Sequence, residues 1–468
     1  MMKKKVWRCA AAGVMAAAIL AGCGQKSAGT PSGGTREVSG PRADGGPEST
    51  EARAQIGEEA PPVERKENRA EDQELGSLTR VREPEAIPAE DFDARRNVRE
   101  DNPVSEEFAG AARAFSFETA SRLLAKDTEN RNYSPLSLYY ALALATQGAE
   151  GKTEQELLAV LGVKDKTELA GQCGNLYRLL YTDNEYSRLK LANSLWAKEG
   201  MELKEGFLNA AQDDFYASVY PVDFADPETG KAMGRWISQQ TNGTLAPQLD
   251  TSPRDILAII NTVYFYDQWV NRFEQSANTQ GTFTTAGGQE VKCEYMHLTG
   301  AFQTYYEGEG YSGTELWLKD NGSLFLILPD EGVDARDLIK QEGKLARMFG
   351  RENGQGGLMD LSLPKFSFED SMDLAEMLQD MGVKEAFSVE ADFSAMSDEP
   401  AFISLIRQET HIGINEDGVE ASAYTEIAVA GAGLPDGRHV LDFNRPFIFG
   451  IISDSGIPLF LGVCNNPQ

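Results

Sequence analysis

Histidine is scarce in this sequence, and the motifs that usually carry enzyme chemistry are missing. The 468 residues include three histidines, His297, His411 and His439, and none lies in an H-E-x-x-H motif. Neither a G-x-S-x-G nucleophile elbow nor a P-loop occurs, so the common hydrolases and nucleotide-dependent enzymes lack their usual residues here. The G-x-G-x-x-G match at residues 308–313 precedes a strand-like run instead of a helix, which favours a glycine-rich hairpin over a phosphate-binding loop.

Cysteine and positive charge are also limited. The five cysteines form no C-x-x-C pair, which argues against a disulfide framework and against a zinc site. Aspartate and glutamate number 73 against 44 lysines and arginines, and the formal net charge is −29. A body of this charge repels nucleic acids and anionic membrane surfaces. We therefore expect no nucleic-acid partner, and the motifs above imply no cofactor.

The first 22 residues have the pattern of an export signal. Basic residues up to Arg8 precede an apolar run that is too short to span a bilayer comfortably. The run ends in Leu20-Ala21-Gly22-Cys23, which resembles the bacterial lipobox, where the signal is cut before a cysteine that then receives lipid. We predict that residues 1–22 are a lipoprotein signal peptide and that Cys23 anchors an extracytoplasmic body to the cell envelope or cell surface, with membrane contact through the lipid only. The alternative is an ordinary signal peptide with an incidental cysteine.

Residues 24–102 contain a single aromatic residue, Phe92, and no sustained apolar periodicity. Glycine, proline, glutamate and arginine recur instead, so this segment cannot bury enough apolar surface to offset its ordering entropy. We predict that residues 23–102 comprise the lipidated cysteine and a disordered acidic tether. The folded domain is then expected to cover residues 103–468.

Apolar residues recur at helical and strand-like spacing from residue 103 onwards, with Ser105 as the predicted cap of a helix. We expect helices at 136–147, 227–241 and 371–381. The strand-like runs are 188–197, 256–266, 324–328, 358–368, 402–415 and 447–452. Their irregular order, without an internal repeat, predicts an α+β fold.

Residues 416–429 alternate between small apolar and polar side chains. A strand of this period presents one face to a core and the other to water; the first four residues of its apolar face are Val419, Ala421, Ala423 and Thr425. The small residues at 430–437 that follow are typical of an exposed loop tip that a protease can grip. From the pattern alone, an ordinary edge strand leading into a surface turn is the simpler interpretation.

The pattern Glu416-x-Gly418-x-Glu420-Ala421-x-Ala423-x-Thr425 is similar to the reactive-loop hinge of inhibitory serpins, and the resemblance extends over residues 105–467. Further serpin-like motifs occur in the family's order: N-Y-S-P-L-S at 132–137, G-A-E-G-K-T at 148–153, A-N-S-L-W at 192–196, L-P-K-F at 363–366, F-N-R-P-F at 443–447 and P-L-F-L-G at 458–462. Their common order and spacing are far more specific than any single motif.

The resemblance implies a serpin fold with three β-sheets, eight or nine helices and an exposed reactive-centre loop. It assigns the hinge to residues Glu416, Gly418, Val419, Glu420, Ala421, Ser422, Ala423, Tyr424 and Thr425. It also implies a hydrogen-bonded shutter cluster beneath the main sheet, formed by Ser134, Asn261 and Gln408. Relatives usually carry histidine where this chain has Gln408, and threonine or serine where it has Val419; glutamine still donates and accepts, and valine favours burial.

The function implied by the resemblance is single-use inhibition of a protease, with no catalytic residue, cofactor or metal in the inhibitor. The family's hinge length places the scissile bond at Ala432-Gly433, within about two residues. Small residues there suit an extracellular elastase-like or subtilisin-like serine protease, with a cysteine protease as the second candidate. We expect a monomer that forms a covalent complex with its target. Two alternatives stay open: a serpin fold used for binding or adhesion, and an enzyme with unrecognised chemistry.

Overall fold

A computed structural model describes residues 76–126, 128–419 and 438–468, and their fold is α+β, as the sequence predicts. The described residues contain ten α-helices: α1 (Phe92–Asp101), α2 (Glu106–Leu124), α3 (Pro135–Gly148), α4 (Gly151–Leu161), α5 (Lys166–Leu180), α6 (Glu205–Asp213), α7 (Pro227–Gln240), α8 (Ala335–Ile339), α9 (Lys344–Met348) and α10 (Ala375–Asp380). Helix α1, in the predicted tether, contributes to the excess over the eight or nine expected. No helix in this part of the chain has the length and apolar character that crossing a membrane requires.

The strands of the described ranges are β1 (Arg131–Tyr133), β2 (Thr182–Asp183), β3 (Ser187–Lys198), β4 (Ala217–Val222), β5 (Leu257–Gln268), β6 (Thr279–Thr284), β7 (Glu290–Gly308), β8 (Tyr311–Trp317), β9 (Ser323–Pro329), β10 (Gln355–Pro364), β11 (Phe366–Asp373), β12 (Ile403–Ile414), β13 (Gly418–Val419), β14 (Arg438–Asp442), β15 (Phe447–Ile452) and β16 (Pro458–Cys464). Short 3-10 helices lie at Gln275–Ala277 and Glu385–Phe387.

Seven strands form the sheet that carries the hinge. Their order is β11-β12-β13-β5-β3-β2, and β4 pairs with β3. Strands β3 and β5 are antiparallel and almost entirely buried, whereas β5 and β12 run parallel to each other. Parallel neighbours need a long connection, and here the chain between them passes through the second sheet.

The second sheet has nine strands, in the order β1-β16-β15-β9-β8-β7-β10-β14, with β6 also paired to β7. Strand β7 is 19 residues long. It pairs with β6 and β10 along most of its length and with β8 from Thr304 onwards. Continuous hydrogen bonding along β7 therefore joins what the resemblance counts as two separate sheets.

The helices cover these sheets according to their apolar faces. Helix α3 is buried all round and lies against β5 and β16, because its leucine, alanine and tyrosine side chains leave no polar face. Helix α7 lies on the seven-stranded sheet, where Trp236 joins a smaller core with Trp196 and Tyr220. Its Gly230 and Gly234 allow close approach, because added Cβ atoms would lie 1.9 and 2.0 Å from backbone carbonyl oxygens.

Most predicted elements are confirmed. Ser105 caps α2 by accepting a hydrogen bond from the Phe108 N–H at 3.2 Å, and residues 308–310 form the predicted hairpin turn, with Gly310 at φ +82°. The single strand predicted at 358–368 is two strands that meet at Lys365. The helix predicted at 371–381 is wrong at its start, because residues up to Asp373 pair with β12, and that pairing overrides the local helical pattern.

The structure differs from the predicted tether over residues 76–102. The Leu78 N–H donates to the Val219 carbonyl oxygen at 2.7 Å, and Glu83 accepts from the Tyr177 hydroxyl at 2.7 Å and pairs with Lys190 at 2.8 Å. Asp91 then caps helix α1. This segment needs no core of its own, because backbone bonds to the edge strand β4 and ion pairs hold it against the body.

Replacing Thr79 with valine tests this attachment. The Thr79 hydroxyl is buried, donates to the Ala217 carbonyl oxygen at 2.9 Å and accepts from the Val219 N–H at 3.1 Å. Thr79→Val keeps the shape and removes both bonds, so we expect the free energy of unfolding to fall by about 1–3 kcal/mol in urea denaturation. The exposed Arg82→Ala is the control. Equal stability of the two variants and the unmodified protein would show that the segment is not attached as described.

Candidate functional site at the hinge

The seven-stranded sheet is incompletely closed between β5 and β12. Their parallel pairing ends at Thr262 and Glu409. At the far end of both strands, β13 lies between them and is antiparallel to each, with Val419 opposite Ile414 on one side and Asp267 on the other. A strand that begins in this way has both neighbours already in place.

An empty space of about 150 Å³ lies directly beyond Val419. Its lining comes from both strands and from the core beneath them: Phe265, His411, Ile412, Val419, Ile451 and Phe460. Val419 itself is buried, which agrees with its predicted place on the inner face of the hinge. The space separates the described start of the hinge from the point where β5 and β12 pair directly.

A tight turn aims the hinge into this position. The Asn415 side-chain oxygen accepts from the N–H groups of Asp417 (2.9 Å) and Gly418 (3.2 Å), and the Asn415 N–H donates to the Gly418 carbonyl oxygen at 3.1 Å. An asparagine that bonds the backbone two residues ahead is typical of such turns. The Trp269 indole N–H fixes the turn from β5's side by donating to the Asn415 carbonyl oxygen at 2.9 Å.

Gly418 is required by close packing. A Cβ atom at this position would lie 2.1 Å from the Asp267 carbonyl oxygen. Any side chain would therefore push the hinge away from β5, so the glycine in the hinge motif has a steric reason here.

Two ion pairs hold the acidic residues before Gly418. Glu416 accepts from Lys365 at 2.9 Å and from the Asn278 side-chain amide, and Asp417 pairs with Arg272 at 3.1 Å. Partial burial acts to raise the pKa of Glu416, but the hydrogen bonds from Lys365, its own backbone and Asn278 outweigh it and hold the pKa below its usual value. The carboxylate of Glu416 is thus secured in its charged form.

Asp267 is a fully buried carboxyl group directly opposite Val419. Its Oδ2 accepts from Ser187 Oγ (3.2 Å) and from the Asn321 backbone and side-chain N–H groups (2.8 and 3.2 Å), whereas its Oδ1 has no partner in the described structure. Burial, followed by the negative charge of Asp320, raises the pKa of Asp267 to about 7, and these hydrogen bonds offset only part of the rise.

The predicted shutter residues lie close together beneath the sheet. Gln408 accepts from the Ser134 N–H at 2.9 Å and donates to the Ser134 carbonyl oxygen at 2.8 Å, and it lies beside Asn261 in the parallel register. Asn261 donates to Asn193 Oδ1 at 2.5 Å rather than to Gln408. Asn193 therefore belongs to this cluster, although its place in the A-N-S-L-W motif gave no sign of the partner across the ladder.

Several predicted site residues lie outside the described residues: Glu420, Ala421, Ser422, Ala423, Tyr424, Thr425, Ala432, Gly433 and Cys23. The three histidines have ordinary structural contacts. His411 and His297 hydrogen-bond neighbouring serine hydroxyls, and His439 stacks on Tyr305 at 3.9 Å.

Comparison with known proteins places this geometry in one family. The family model described as serpin (serine protease inhibitor) matches residues 110–467. An uncharacterized serpin-like protein from Thermococcus kodakarensis is 31% identical over 396 residues, which cover 82% of this chain and 90% of the relative. Intracellular coagulation inhibitor 2 from Tachypleus tridentatus is 28% identical over 373 residues, covering 75% of this chain and 89% of the relative.

Solved structures agree with this comparison. The thermophilic serpin Tengpin in its native state superposes with a TM-score of 0.72 and 28% identity, covering 84% of this chain and 99% of Tengpin. Human thyroxine-binding globulin bound to its ligand gives a TM-score of 0.70 at 24% identity, covering 77% of this chain and 98% of that protein. The second likeness shows the fold alone. The serpin fold that the sequence resemblance implies is confirmed.

The raised pKa of Asp267 predicts a pH-dependent stability. The folded protein binds this proton more tightly than the unfolded chain, so the stabilisation is complete below about pH 4 and is lost as the pH rises through about 7. Asp267→Asn should remove this loss and gain roughly 2–4 kcal/mol relative to the unmodified protein between those limits, since one pKa unit corresponds to about 1.4 kcal/mol. Denaturant unfolding at several pH values measures it, with the exposed Asp380→Asn as control. Parallel pH profiles for all three proteins would contradict the assignment.

Proposed function

The chain belongs to the serpin family, and we propose on this premise that it is an irreversible suicide inhibitor of an extracellular protease. One observation carries the proposal: the hinge already begins an antiparallel strand between β5 and β12, above a space that no described residue fills. A loop that continues this strand after cleavage would pair with both neighbours. This is the conformational step that a trapping inhibitor needs.

The register of β13 defines where the following residues would go. Val419 lies opposite Ile414 and Asp267, and antiparallel pairing advances one residue on the hinge for each residue back on the neighbours. Ala421 would then meet Ile412 and Phe265. Two residues later, Ala423 would meet Thr410 and Val263.

Thr425 would lie between Gln408 and Asn261 in the same register, at the shutter cluster. The positions that would receive the inner face of the hinge are all buried: Phe265, Val263, Asn261, Ile412, Thr410 and Gln408. Only small or uncharged side chains can be added there without displacing the core. Alanine at 421 and 423 meets this requirement, which favours an inhibitory hinge.

In the proposed reaction the protease treats the loop as substrate. The serine Oγ of the protease forms an ester with the carbonyl carbon of Ala432, the peptide bond to Gly433 breaks, and the Gly433 amine leaves with a proton. Insertion of the released strand before water reaches the ester would pull the protease along the sheet and distort its oxyanion hole, so the ester persists. The inhibitor contributes geometry and conformational free energy, and the protease contributes the catalytic groups.

The loop sequence points to the kind of protease. Ala430, Gly431 and Ala432 are small, and a shallow primary pocket of the elastase or subtilisin kind accepts such side chains. A cysteine protease, which also forms an acyl-enzyme, is the second candidate. Non-inhibitory binding or adhesion is the alternative function, since thyroxine-binding globulin shares the fold and was solved with a bound ligand.

Insertion is tested by placing a charge on the inner face of the hinge. Ala423→Arg would bring a guanidinium between Val263 and Thr410, where burying an unpaired charge costs several kcal/mol. We expect elastase to cleave this variant without forming the complex that resists boiling in detergent, because deacylation then outruns insertion. Mass spectrometry should place the new C-terminus within two residues of Ala432.

Ser422→Arg is the matched control, because the next residue points to the opposite face of the strand. It should retain most of the complex yield. Equal complex yields for both variants, or no complex with the unmodified protein, would contradict insertion in this register.

The cellular location is part of the proposal and rests on the lipobox-like residues 20–23. A diacylated Cys23 would hold a monomeric inhibitor at the cell envelope or cell surface, with the acidic body kept off anionic lipid. Cys23→Ala should move the protein from the detergent phase to the aqueous phase in a phase-partition assay of whole cells. Unchanged partitioning of the variant would contradict lipid anchoring.

A further inference from the structure

Helix α1 reaches a buried acidic cluster at the upper end of β5. Arg95 NH1 contacts Asp320 Oδ1 at 2.7 Å, and the Asp320 side chain is only 5% exposed. The other oxygen of Asp320 accepts from Asn184 Nδ2 at 2.7 Å. Arg95 therefore neutralises a carboxylate that is almost removed from water.

Asp320 lies in the turn that connects β8 and β9, and this turn also holds Asp267. The backbone N–H groups of Asp320 and Asn321 donate to Asp267 Oδ2 at 3.3 and 2.8 Å. Two carboxyl groups thus share one turn, and the charge of Asp320 opposes ionisation of Asp267. Arg95 supplies the balancing charge on the Asp320 side.

The cluster connects two parts of the molecule that insertion would move. Asp267 belongs to β5 in the seven-stranded sheet and pairs with the hinge at Val419, whereas the turn with Asp320 belongs to the nine-stranded sheet. A new strand between β5 and β12 widens their separation by about 4.8 Å. Displacing β5 in this way strains or breaks the contacts between Asp267 and the turn.

We propose that Arg95 is a positioning residue for loop insertion: by pairing with Asp320 it holds the turn against the upper end of β5 and opposes opening of the sheet beside the hinge. The inference rests on the proposed function, since it names a residue that sets the rate of its conformational step. Without Arg95, two adjacent buried carboxylates repel each other, the contact between β5 and the turn weakens, and the strand inserts sooner.

Other charged groups near this cluster limit the interpretation of its pH dependence. Lys319 of the same turn lies over the Tyr186 ring at 4.1 Å and donates to Gln268 at 2.9 Å, and Arg272 after β5 pairs with Asp417. None of these contacts changes when Arg95 is replaced. A response that needs both Arg95 and an ionised Asp267 is therefore specific to this cluster.

The experiment measures the stoichiometry of inhibition of pancreatic elastase by the full chain, as moles of inhibitor consumed per mole of protease. The excess over one reports deacylation relative to insertion. For Arg95→Ala we expect this excess to fall about fivefold at about pH 8, between the effects of exposed and buried ion pairs, and less than about twofold at about pH 5.5, where Asp267 is protonated. Arg95→Lys should restore the normal value, because the contact with Asp320 uses one nitrogen only.

Arg96→Ala is the matched control, since Arg96 is the next residue of α1 and its partner Asp93 is exposed. It should leave the stoichiometry unchanged at both pH values. Equal values for Arg95→Ala and Arg96→Ala would overturn the role of Arg95 and leave the inhibitory function standing, and so would the same change at both pH values. Cleavage of the unmodified protein without any stable complex would overturn the proposed function and this role together.

Discussion

Two parallel strands, β5 and β12, are paired along half of their length and separated at their upper ends by the first residues of the hinge. Each would gain a full set of main-chain hydrogen bonds from one added antiparallel strand, and Val419 already occupies the first position of that strand. The other features of the site depend on this vacancy. Gly418 lets the hinge approach β5, Asn415 turns the chain towards the vacancy, and the core beneath it is already shaped for small side chains.

Charged groups surround the place where the hinge begins. Glu416 and Asp417 are held by Lys365 and Arg272, and the buried Asp267 is held by the turn between β8 and β9. These contacts hold the hinge before cleavage without filling the space beyond Val419. Local polar contacts thus keep the closed form, while burial of the alternating apolar face favours the inserted form.

The sequence predicted those parts of the fold whose signals are local. The cap at Ser105 and the runs that became β3, β5 and β15 follow from residue periodicity. The ordered segment at 76–102 could not be predicted in this way, because Thr79 gains its stability from β4, more than a hundred residues away. The burial of Asp267 was hidden for the same reason, since an aspartate at the end of an apolar run is usually exposed. Likewise, the Asn193–Asn261 contact depends on a strand register that composition does not reveal.

The most direct test of the account is the separation of β5 and β12 after the loop has been cut. Thr262 and Glu409 are neighbours across the ladder in the intact protein. A crystal structure of the protein cleaved near Ala432 should place them two strand spacings apart, about 9–10 Å. Residues 420–425 should then lie between them and the hinge, with Ala421 and Ala423 on the inner face. If Thr262 and Glu409 are still adjacent in the cleaved protein, the strand has not inserted and the trapping mechanism is contradicted.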